Sequence, residues 1–314
     1  MIRIFNLQPF FIIFGLLLFQ SCSRKEDKNN HADSPFNGTI HISVDESFKP
    51  VIEEEIKVYE SSYPGTKIIA HYKPEAACFR DLLKDTSNRL IIVTRGLSYK
   101  EEKFYIDSLT YNPGWNQIAT DAITIIVNGK SQDTAFTIDR LRKQLTGKIN
   151  RHQTIVFDGL RATSTVRFIS DSILHGEKFD TSVVKAAKSS QEVIDYVAEN
   201  ENAVGMVGAS WIGNPEDTFH LNMLKKVKIA YVQCLSCLDT PFVKPVQHSI
   251  LTKRYPLVRG LYYIIKENYR GLGSGFVSFL KNERGQLIFK RSYLGPVMGF
   301  GIRNVKINQT LEKD

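Results

Sequence analysis

Strand-like and helix-like segments alternate along most of this chain, and that order constrains the fold more than any other feature. Thr39–Val44 alternates in the manner of a half-buried strand, and Phe48–Tyr59 then carries apolar residues at helical spacing. Arg89–Val93 is an apolar run typical of a strand buried in a parallel sheet. The same order continues to Arg291 and predicts an α/β fold with mostly parallel sheets.

Two α/β lobes are predicted because the alternating segments fill most of a chain of 314 residues. A single core rarely grows that large, and chains of this length commonly divide into domains. Three further segments are predicted in detail: Asn116–Val127 as two short strands around Asp121, Ser164–Leu174 as one helix, and Val227–Val232 as one strand.

The composition is that of an ordinary soluble globular protein. Hydrophobic residues make up 42% and charged residues 24%, which argues against disorder, a multi-span membrane protein, collagen and a coiled coil. Lys and Arg number 41 against 33 Asp and Glu, so the formal net charge is +8. This excess suits an anionic partner, such as nucleic acid, acidic lipid or a small oxyanion. Because the basic residues are spread along the chain and form no stripe, nucleic acid is not predicted as a partner.

The N-terminus has the pattern of a secretion signal. Arg3 supplies a positive charge, Phe10–Phe19 is an apolar run too short to span a bilayer comfortably, and a small residue precedes Cys22. This order resembles a bacterial lipoprotein signal, which implies a signal peptide over 1–22 and a lipidated Cys22. A plain signal peptide and an N-terminal anchor helix are the alternatives. The polar residues that follow predict a flexible tether over 23–37.

The other three cysteines are interpreted as structural. Cys78 stands alone and is expected to be a small buried apolar side chain. Cys234 and Cys237 form a C-x-x-C motif, but no second ligand pair follows, so a metal site is not predicted. A structural disulfide and simple packing are both compatible with the motif, and a redox function is the third alternative.

Ligand chemistry is predicted where strands end and helices begin. In open α/β sheets, ligands bind beyond the carboxyl ends of the strands, where helix N-termini offer amide donors to anions. Ser47 follows the first predicted strand, Arg95 follows the third, and Arg161 with Thr163–Thr165 follows the strand Gln153–Phe157. Arginine suits tetrahedral oxyanions, and hydroxyl groups can bind the remaining oxygens. Helix caps and surface ion pairs are the structural alternatives for these residues.

A set of stretches in a fixed order carries a resemblance to a known family. These stretches are Ile42–Ile52, Ile92–Ser98, Ile118–Asn128, Arg161–Phe168, Ala203–Gly208, Tyr255–Tyr263, and Phe276–Leu280 followed by Gly285-Gln286. From Gly38 to about Pro296 the chain resembles the phosphate-specific substrate-binding proteins of ABC importers, the PstS-like proteins, and most closely their lipoprotein forms from the Bacteroidetes group.

The resemblance implies a two-lobed periplasmic-binding-protein-like fold of type II, with a hinge. The lobes close on one hydrogen phosphate ion without a catalytic step, a cofactor or a metal. By position, the first lobe corresponds to 38–119 plus 257–314 and the second to 120–256. Asp121 is interpreted as a structural residue of the hinge more than as a ligand-binding one.

Eight ligand-binding residues are predicted from the resemblance and the junctions together. They are Ser47, Phe48 through its amide, Glu75, Arg95, Arg161, Thr163, Ser164 and Thr165. Many members of the family have an aspartate where this chain has Arg95, and that aspartate accepts the proton of the ligand. Glu75 is the candidate replacement for this acceptor, and an ion pair between Glu75 and Arg95 is the alternative.

High-affinity phosphate binding for an ABC import system is the leading functional hypothesis, with a permease and ATPase as partners. The lipid anchor would hold the exported protein in the periplasm or at the outer membrane. The alternative is a surface or assembly lipoprotein of the same fold that binds another oxyanion, a protein or a glycan. An enzyme is not predicted, because the chain has no metal-spaced histidine pair, no G-x-S-x-G motif and no Walker loop.

Overall fold

A computed structural model describes residues 33–149, 152–159, 163–214, 217–238 and 241–300. The predicted signal peptide with Cys22, most of the predicted tether and Arg161 lie outside these residues. Within the described ranges, the helices are all too short or too polar to cross a membrane.

The first lobe is built on a mixed sheet with both parallel and antiparallel strands. Its strands are β1 (Gly38–Asp45), β2 (Thr66–Lys73), β3 (Asn88–Val93), the first half of β4 (Gly114–Asn128), β12 (Val258–Ile265) and the short β13 (Gly295–Pro296). The spatial order is β2-β1-β3-β12-β4, in which β1 runs parallel to β2 and β3 while β12 runs antiparallel to its neighbours. Its helices are α1 (Lys49–Ser62), α2 (Glu75–Lys84), α3 (Tyr99–Leu109), α9 (Leu272–Lys281) and α10 (Glu283–Arg291).

The second lobe repeats this arrangement on the other half of β4. Its main strands are β6 (Thr154–Phe157), β7 (Val184–Ala186), β8 (Ala203–Gly208) and β9 (Val227–Ile229), and β5 (Ala135–Phe136), β10 (Tyr231–Gln233) and β11 (Phe242–Val243) form a small separate sheet. Its helices are α4 (Ile138–Leu145), α5 (Ser164–Ile169), α6 (Ser190–Glu199), α7 (Thr218–Leu224) and α8 (Gln247–Leu251). The α/β class predicted from the alternating pattern is confirmed.

One long strand joins the two sheets. Residues of β4 up to Ala122 pair with β12, and from Ile123 onward they pair with β8. The prediction of two short strands around Asp121 was wrong, because β4 runs unbroken through that residue. An ion pair satisfies the Asp121 carboxylate inside the sheet, so the charge does not interrupt the strand.

Each lobe has its own apolar core. In the first lobe, Phe48 and Ile52 pack with Phe276 and Phe289 of the C-terminal helices. In the second lobe, Phe157 and Ile169 belong to a separate buried cluster that includes the end of β4. Two cores on either side of one continuous strand give a two-lobed molecule, as expected for a chain of this length.

Two other predicted elements differ in detail. The predicted strand Val227–Val232 is broken at Ala230, whose amide bonds to Ile125, so that β9 and β10 pair with different sheets. The predicted helix Ser164–Leu174 is α-helical only to Ile169 and then widens into a π turn. Cys234 and Cys237 form a disulfide beyond β10, so simple packing of two free thiols, one of the alternatives for the C-x-x-C motif, was wrong.

The residues just before β1 are fixed to the first lobe. The Asp33 carboxylate is nearly buried, accepts hydrogen bonds from Arg89 and from Tyr269, and caps α9 through the amide of Leu272 at 3.0 Å. Residues 33–37 therefore differ from the free tether predicted for 23–37, because a carboxylate at a helix N-terminus and beside a guanidinium is held in place.

Gln286 of α10 ties three parts of the first lobe together, and it is fully buried. Its amide nitrogen donates to the carbonyl groups of Ile118 and Leu280 at 2.9 and 2.7 Å. Its amide oxygen accepts from the backbone of Val297 and Met298 at 2.8 and 3.2 Å.

The substitution Gln286→Leu removes all four hydrogen bonds at nearly constant volume. We expect the free energy of unfolding to fall by about 2–4 kcal/mol, because buried backbone groups lose their partners. Urea unfolding followed by circular dichroism measures this loss. The control Gln132→Leu changes an exposed glutamine and should leave stability within about 0.5 kcal/mol of the parent. Equal effects of the two substitutions would contradict the structural role of Gln286.

Candidate functional site

Two serine hydroxyl groups, one from each lobe, meet at the centre of the candidate site. Ser47 lies in the 3-10 turn that follows β1, and Ser164 is the first residue of α5. Both side chains are fully buried, and their Oγ atoms lie 3.4 Å apart. Thr163 caps α5 by accepting a hydrogen bond from the Val166 amide at 3.3 Å. The structure thus brings Ser47 together with the hydroxyl-rich start of α5.

A buried arginine organises the groups around these serines. The Arg259 Nε atom of β12 donates to the Asp121 carboxylate at 2.9 Å, and Nη1 donates to Ser164 Oγ at 2.9 Å and to Thr165 Oγ1 at 3.5 Å. Its guanidinium lies 5.1 Å from the centre of the Phe48 ring. The remaining nitrogen, Nη2, is buried without a hydrogen-bond partner among the described residues. Arg259 therefore keeps one donor that no described residue uses.

Two buried carboxylates flank the same centre. Asp45 accepts the Ser47 amide at 2.9 Å through Oδ1. Asp158 accepts the hydroxyl groups of Ser47 and Thr165 through Oδ2, both at 3.3 Å. Each carboxylate has a second oxygen that is buried and has no hydrogen-bond partner among the described residues. The centre therefore offers two unused acceptors beside the unused donor of Arg259.

Burial disfavours the charged forms of these two carboxylates. Desolvation raises the pKa of Asp45 to about 6, and Arg259 opposes this effect while Glu75 and Asp158 add to it. Desolvation likewise raises the pKa of Asp158 to about 6, with a further contribution from the negative charge of Glu46. A buried carboxyl group with one guanidinium and several carboxylates nearby ionises reluctantly.

Glu75 links the lobes beside the central site. Its carboxylate accepts the amide and hydroxyl of Thr94 at 2.9 and 2.6 Å and binds the Arg167 Nε atom of α5 at 2.7 Å. Burial raises the pKa of Glu75, but the hydrogen bonds from Arg167 and Thr94 outweigh it, so the pKa lies below its usual value. The predicted alternative, a pair with Arg95, is wrong, since Arg167 is the partner.

A second link crosses between the lobes on another side of the site. The Glu46 carboxylate accepts the backbone amide of Ser190 at 3.1 Å and its hydroxyl at 2.7 Å. Ser210 donates to the backbone carbonyl of Ser47 at 3.1 Å. These contacts hold the lobes together around the central hydroxyl groups.

Arg95 lies at the rim and is already paired. Its guanidinium binds both oxygens of Glu101 at 2.7 and 2.9 Å and stacks 3.8 Å from the centre of the Phe79 ring. It lines an open groove of about 420 Å³ together with Arg167 and Arg259. Arg95 therefore lies at the entrance to the site with its charge paired to Glu101, and it is not in contact with the central hydroxyl groups.

In the described part of the chain, no group of three His, Cys, Asp or Glu side chains is placed to hold a metal ion. Four charged residues at the centre were not predicted from the sequence as ligand-binding. They are Asp45, Asp158, Arg167 and Arg259. A signal for one of them exists in retrospect. Arg259 and Asp121 are opposite charges in strand-like segments, and the register pairs them directly.

The comparisons with known proteins agree with this architecture. A protein-family model with the description "PBP superfamily domain" matches residues 29–284 of this chain. No curated protein sequence matches the chain.

Solved structures share the fold at low sequence identity. One is described as a phosphate ABC transporter substrate-binding protein with bound phosphate from Clostridium perfringens, with a TM-score of 0.68, 20% identity, and coverage of 83% of this chain and 100% of that one. An ABC-type phosphate transport receptor from Vibrio cholerae has a TM-score of 0.59 and 17% sequence identity, and the match covers 81% of this chain and 98% of that one. A PstS from Borrelia burgdorferi has a TM-score of 0.51 and 18% sequence identity, and the match covers 84% of this chain and 100% of that one. The predicted two-lobed fold is confirmed by these likenesses.

The raised pKa values of Asp45 and Asp158 predict how stability depends on pH. Between the usual aspartate value of 3.8 and about 6, the folded protein holds protons that the unfolded chain has released. The stability from these carboxyl groups is therefore present below about pH 4 and is lost as the pH rises through 6. The substitution Asp158→Asn or Asp45→Asn removes the ionisation.

Relative to the parent, each asparagine variant should gain about 1–3 kcal/mol of unfolding free energy between pH 4.5 and pH 8. Urea unfolding of phosphate-free protein at the two pH values measures the gain. The control Asp85→Asn should show none, because hydrogen bonds from Ser87 lower the pKa of this surface carboxyl. A constant difference from the parent at both pH values would contradict the raised pKa values.

Proposed function

Because the chain belongs to the PBP superfamily, we propose that it binds inorganic phosphate reversibly between its two lobes, without a catalytic step. The observation that carries this proposal is the pair of facing hydroxyl groups, Ser47 and Ser164, beside the unused donor of Arg259. Guanidinium and hydroxyl donors match the oxygens of a tetrahedral oxyanion. The phosphate-related names of several proteins with the same fold support the choice of ligand.

A phosphate ion enters between the lobes and replaces the direct contact of Ser47 with Ser164. Arg259 donates its free Nη2 hydrogens to one ligand oxygen, while the hydroxyl groups of Ser47, Ser164 and Thr165 turn towards the others. Arg161, outside the described residues, is proposed as a second cation, since it follows the same strand end. The Phe48 amide and Thr163 remain proposed contacts at the two chain segments that carry the serines.

Closure of the lobes accounts for reversible capture. The Glu75–Arg167 and Glu46–Ser190 contacts are made only when the lobes are together, and they stabilise the closed form. A ligand that binds both lobes shifts the population towards that form in proportion to its differential affinity. Opening breaks a small number of polar contacts at the cleft, whose groups water can then bind.

Delivery to an ABC importer is the proposed role of this binding, with a permease and ATPase as partners. The lipid anchor at Cys22 is part of the same proposal and would keep the exported protein at a membrane surface. The mass of the intact protein from a membrane fraction tests the anchor. A chain that starts at Cys22 and carries acyl groups supports it, and an unmodified chain that starts at Met1 contradicts it.

Isothermal titration of the purified, dialysed protein with inorganic phosphate tests the binding function. We expect one phosphate per chain. The double variant Ser47→Ala with Ser164→Ala should bind about 10–100-fold more weakly, because it loses two hydrogen bonds to the ligand. The matched control Ser87→Ala changes an exposed serine and should keep the parent affinity.

Absence of binding between pH 5.5 and 8.5 would contradict the phosphate function. Parent-like binding by the double serine variant would instead remove the assignment of these residues and leave the function standing.

A further inference from the structure

The disulfide between Cys234 and Cys237 lies at the surface of the second lobe, just beyond β10. Cys237 is partly exposed, whereas Cys234 is 5% exposed. The side chains of Leu235 and Leu238, which stand on either side of Cys237, are exposed as well. Thiol–disulfide exchange requires that an attacking thiolate reach a sulfur atom. Cys237 is therefore the accessible end of the bond.

A guanidinium group lies against the accessible sulfur. The Arg254 Nε atom donates to Cys237 Sγ at 3.2 Å. Arg254 directly precedes Tyr255, whose side chain is fully buried, so its place in the chain is fixed. Cys234 Sγ, by contrast, lies 3.7 Å from the neutral hydroxyl group of Ser236. Because a neighbouring cation stabilises a thiolate, Arg254 favours the ionised form of Cys237 once the bond is reduced.

The disulfide closes a loop too short to contribute much to the stability of the fold. Its two cysteines are three positions apart, and the stabilisation that a cross-link provides by restricting the unfolded chain grows with the length of the loop. Backbone hydrogen bonds hold the surrounding segment without it. Strands β10 and β11 pair in antiparallel fashion, and the Cys234 amide donates to the Pro241 carbonyl at 2.8 Å. Opening of the S–S bond leaves these contacts in place.

We propose that Cys234 and Cys237 form a redox-exchange site, at which a dithiol reductant opens the disulfide while the protein stays folded. Cys237 is the sulfur that exchanges with the reductant, and Arg254 stabilises its thiolate. The site lies outside the cleft residues described above, and the proposal does not depend on phosphate binding. It selects the redox alternative for the C-x-x-C motif over a purely structural disulfide.

The exchange takes place in two steps and transfers two electrons to the protein. A thiolate of the reductant attacks Cys237 Sγ, the S–S bond breaks, and its electron pair leaves on Cys234 Sγ, which takes up a proton. The second thiolate of the reductant then attacks the reductant sulfur of the mixed disulfide. The reductant is thereby oxidised to a disulfide, and Cys237 leaves as a thiolate beside Arg254. Of the two protons of the dithiol, one is now on Cys234 and the other is in solvent.

Equilibration of the folded protein with glutathione buffers of increasing reduced-to-oxidised ratio tests whether the bond exchanges. Acid quenching, alkylation and peptide mass analysis give the reduced fraction of each cysteine, and the free Cys78 is the reference for complete labelling. We expect Cys234 and Cys237 to become reduced together within this range, with an unchanged circular dichroism spectrum. Structural disulfides, in contrast, resist reduction by glutathione.

Variants with one of the two cysteines replaced show which sulfur exchanges. In Cys234→Ser, the remaining Cys237 should react with oxidised glutathione at least about tenfold faster than Cys234 does in Cys237→Ser, because it is more exposed and lies beside a guanidinium. Equal rates, or a faster reaction of Cys234, contradict the assignment of Cys237 as the exchanging sulfur.

The substitution Arg254→Gln tests the stabilisation of the thiolate, because it removes the charge and keeps a hydrogen-bond donor. We expect the equilibrium constant for reduction by glutathione to fall about 3–10-fold, since the reduced form loses a favourable charge interaction. The control Arg80→Gln changes an exposed arginine of α2 and should keep the constant of the parent. An unchanged constant in Arg254→Gln overturns the role of Arg254.

The remaining results decide the proposal as a whole. A disulfide that stays closed across the glutathione range overturns redox exchange and identifies a structural bond. Reduction that occurs only together with loss of the circular dichroism signal has the same meaning. Neither result bears on phosphate binding, which calorimetry measures separately. Because the glutathione equilibrium is measured on the parent protein, a variant that fails to fold does not prevent the test.

Discussion

The buried ion pair between Arg259 and Asp121 is the interaction on which the rest of the site depends. The two residues sit opposite each other on neighbouring antiparallel strands, where β4 passes from one sheet to the other. Removal of one partner would leave a charge in the interior, which typically costs about 3–5 kcal/mol. Because Arg259 also holds Ser164 and lies over Phe48, the same pair positions groups of both lobes.

The candidate site combines guanidinium and hydroxyl donors with buried carboxylates. Arg259, Arg167 and Arg95 lie along one groove, yet each is bound to a carboxylate of the protein. The donors that remain are mostly hydroxyl groups and one guanidinium nitrogen, and the unused acceptors belong to aspartates. Among the described residues of the cleft, the positive charges are therefore paired, whereas several hydrogen-bonding groups are not.

Many parts of the fold could be predicted because local patterns decide them. The apolar alternation in Thr39–Val44 and the apolar run Arg89–Val93 each predicted a strand. The structure has β1 and β3 at these positions. The break at Ala230 and the unbroken course of β4 through Asp121 could not be predicted, since both depend on distant hydrogen-bond partners. The placement of Ser47 beside Ser164 follows from strand ends, whereas the pairing of Glu75 with Arg167 in preference to Arg95 requires the lobes to be in contact.

The sequence by itself determined the α/β class, the number of lobes and the chain segments that lead to the cleft, because periodicity and strand-to-helix junctions are local properties. Only the tertiary structure decided which charges meet inside it. Asp45 and Asp158 are 113 positions apart in the numbering, and Arg259 is about as far again along the chain. Their shared surroundings arise from two sheets joined by one strand, and burial then sets both their ionisation and the hydrogen bonds they leave for a ligand.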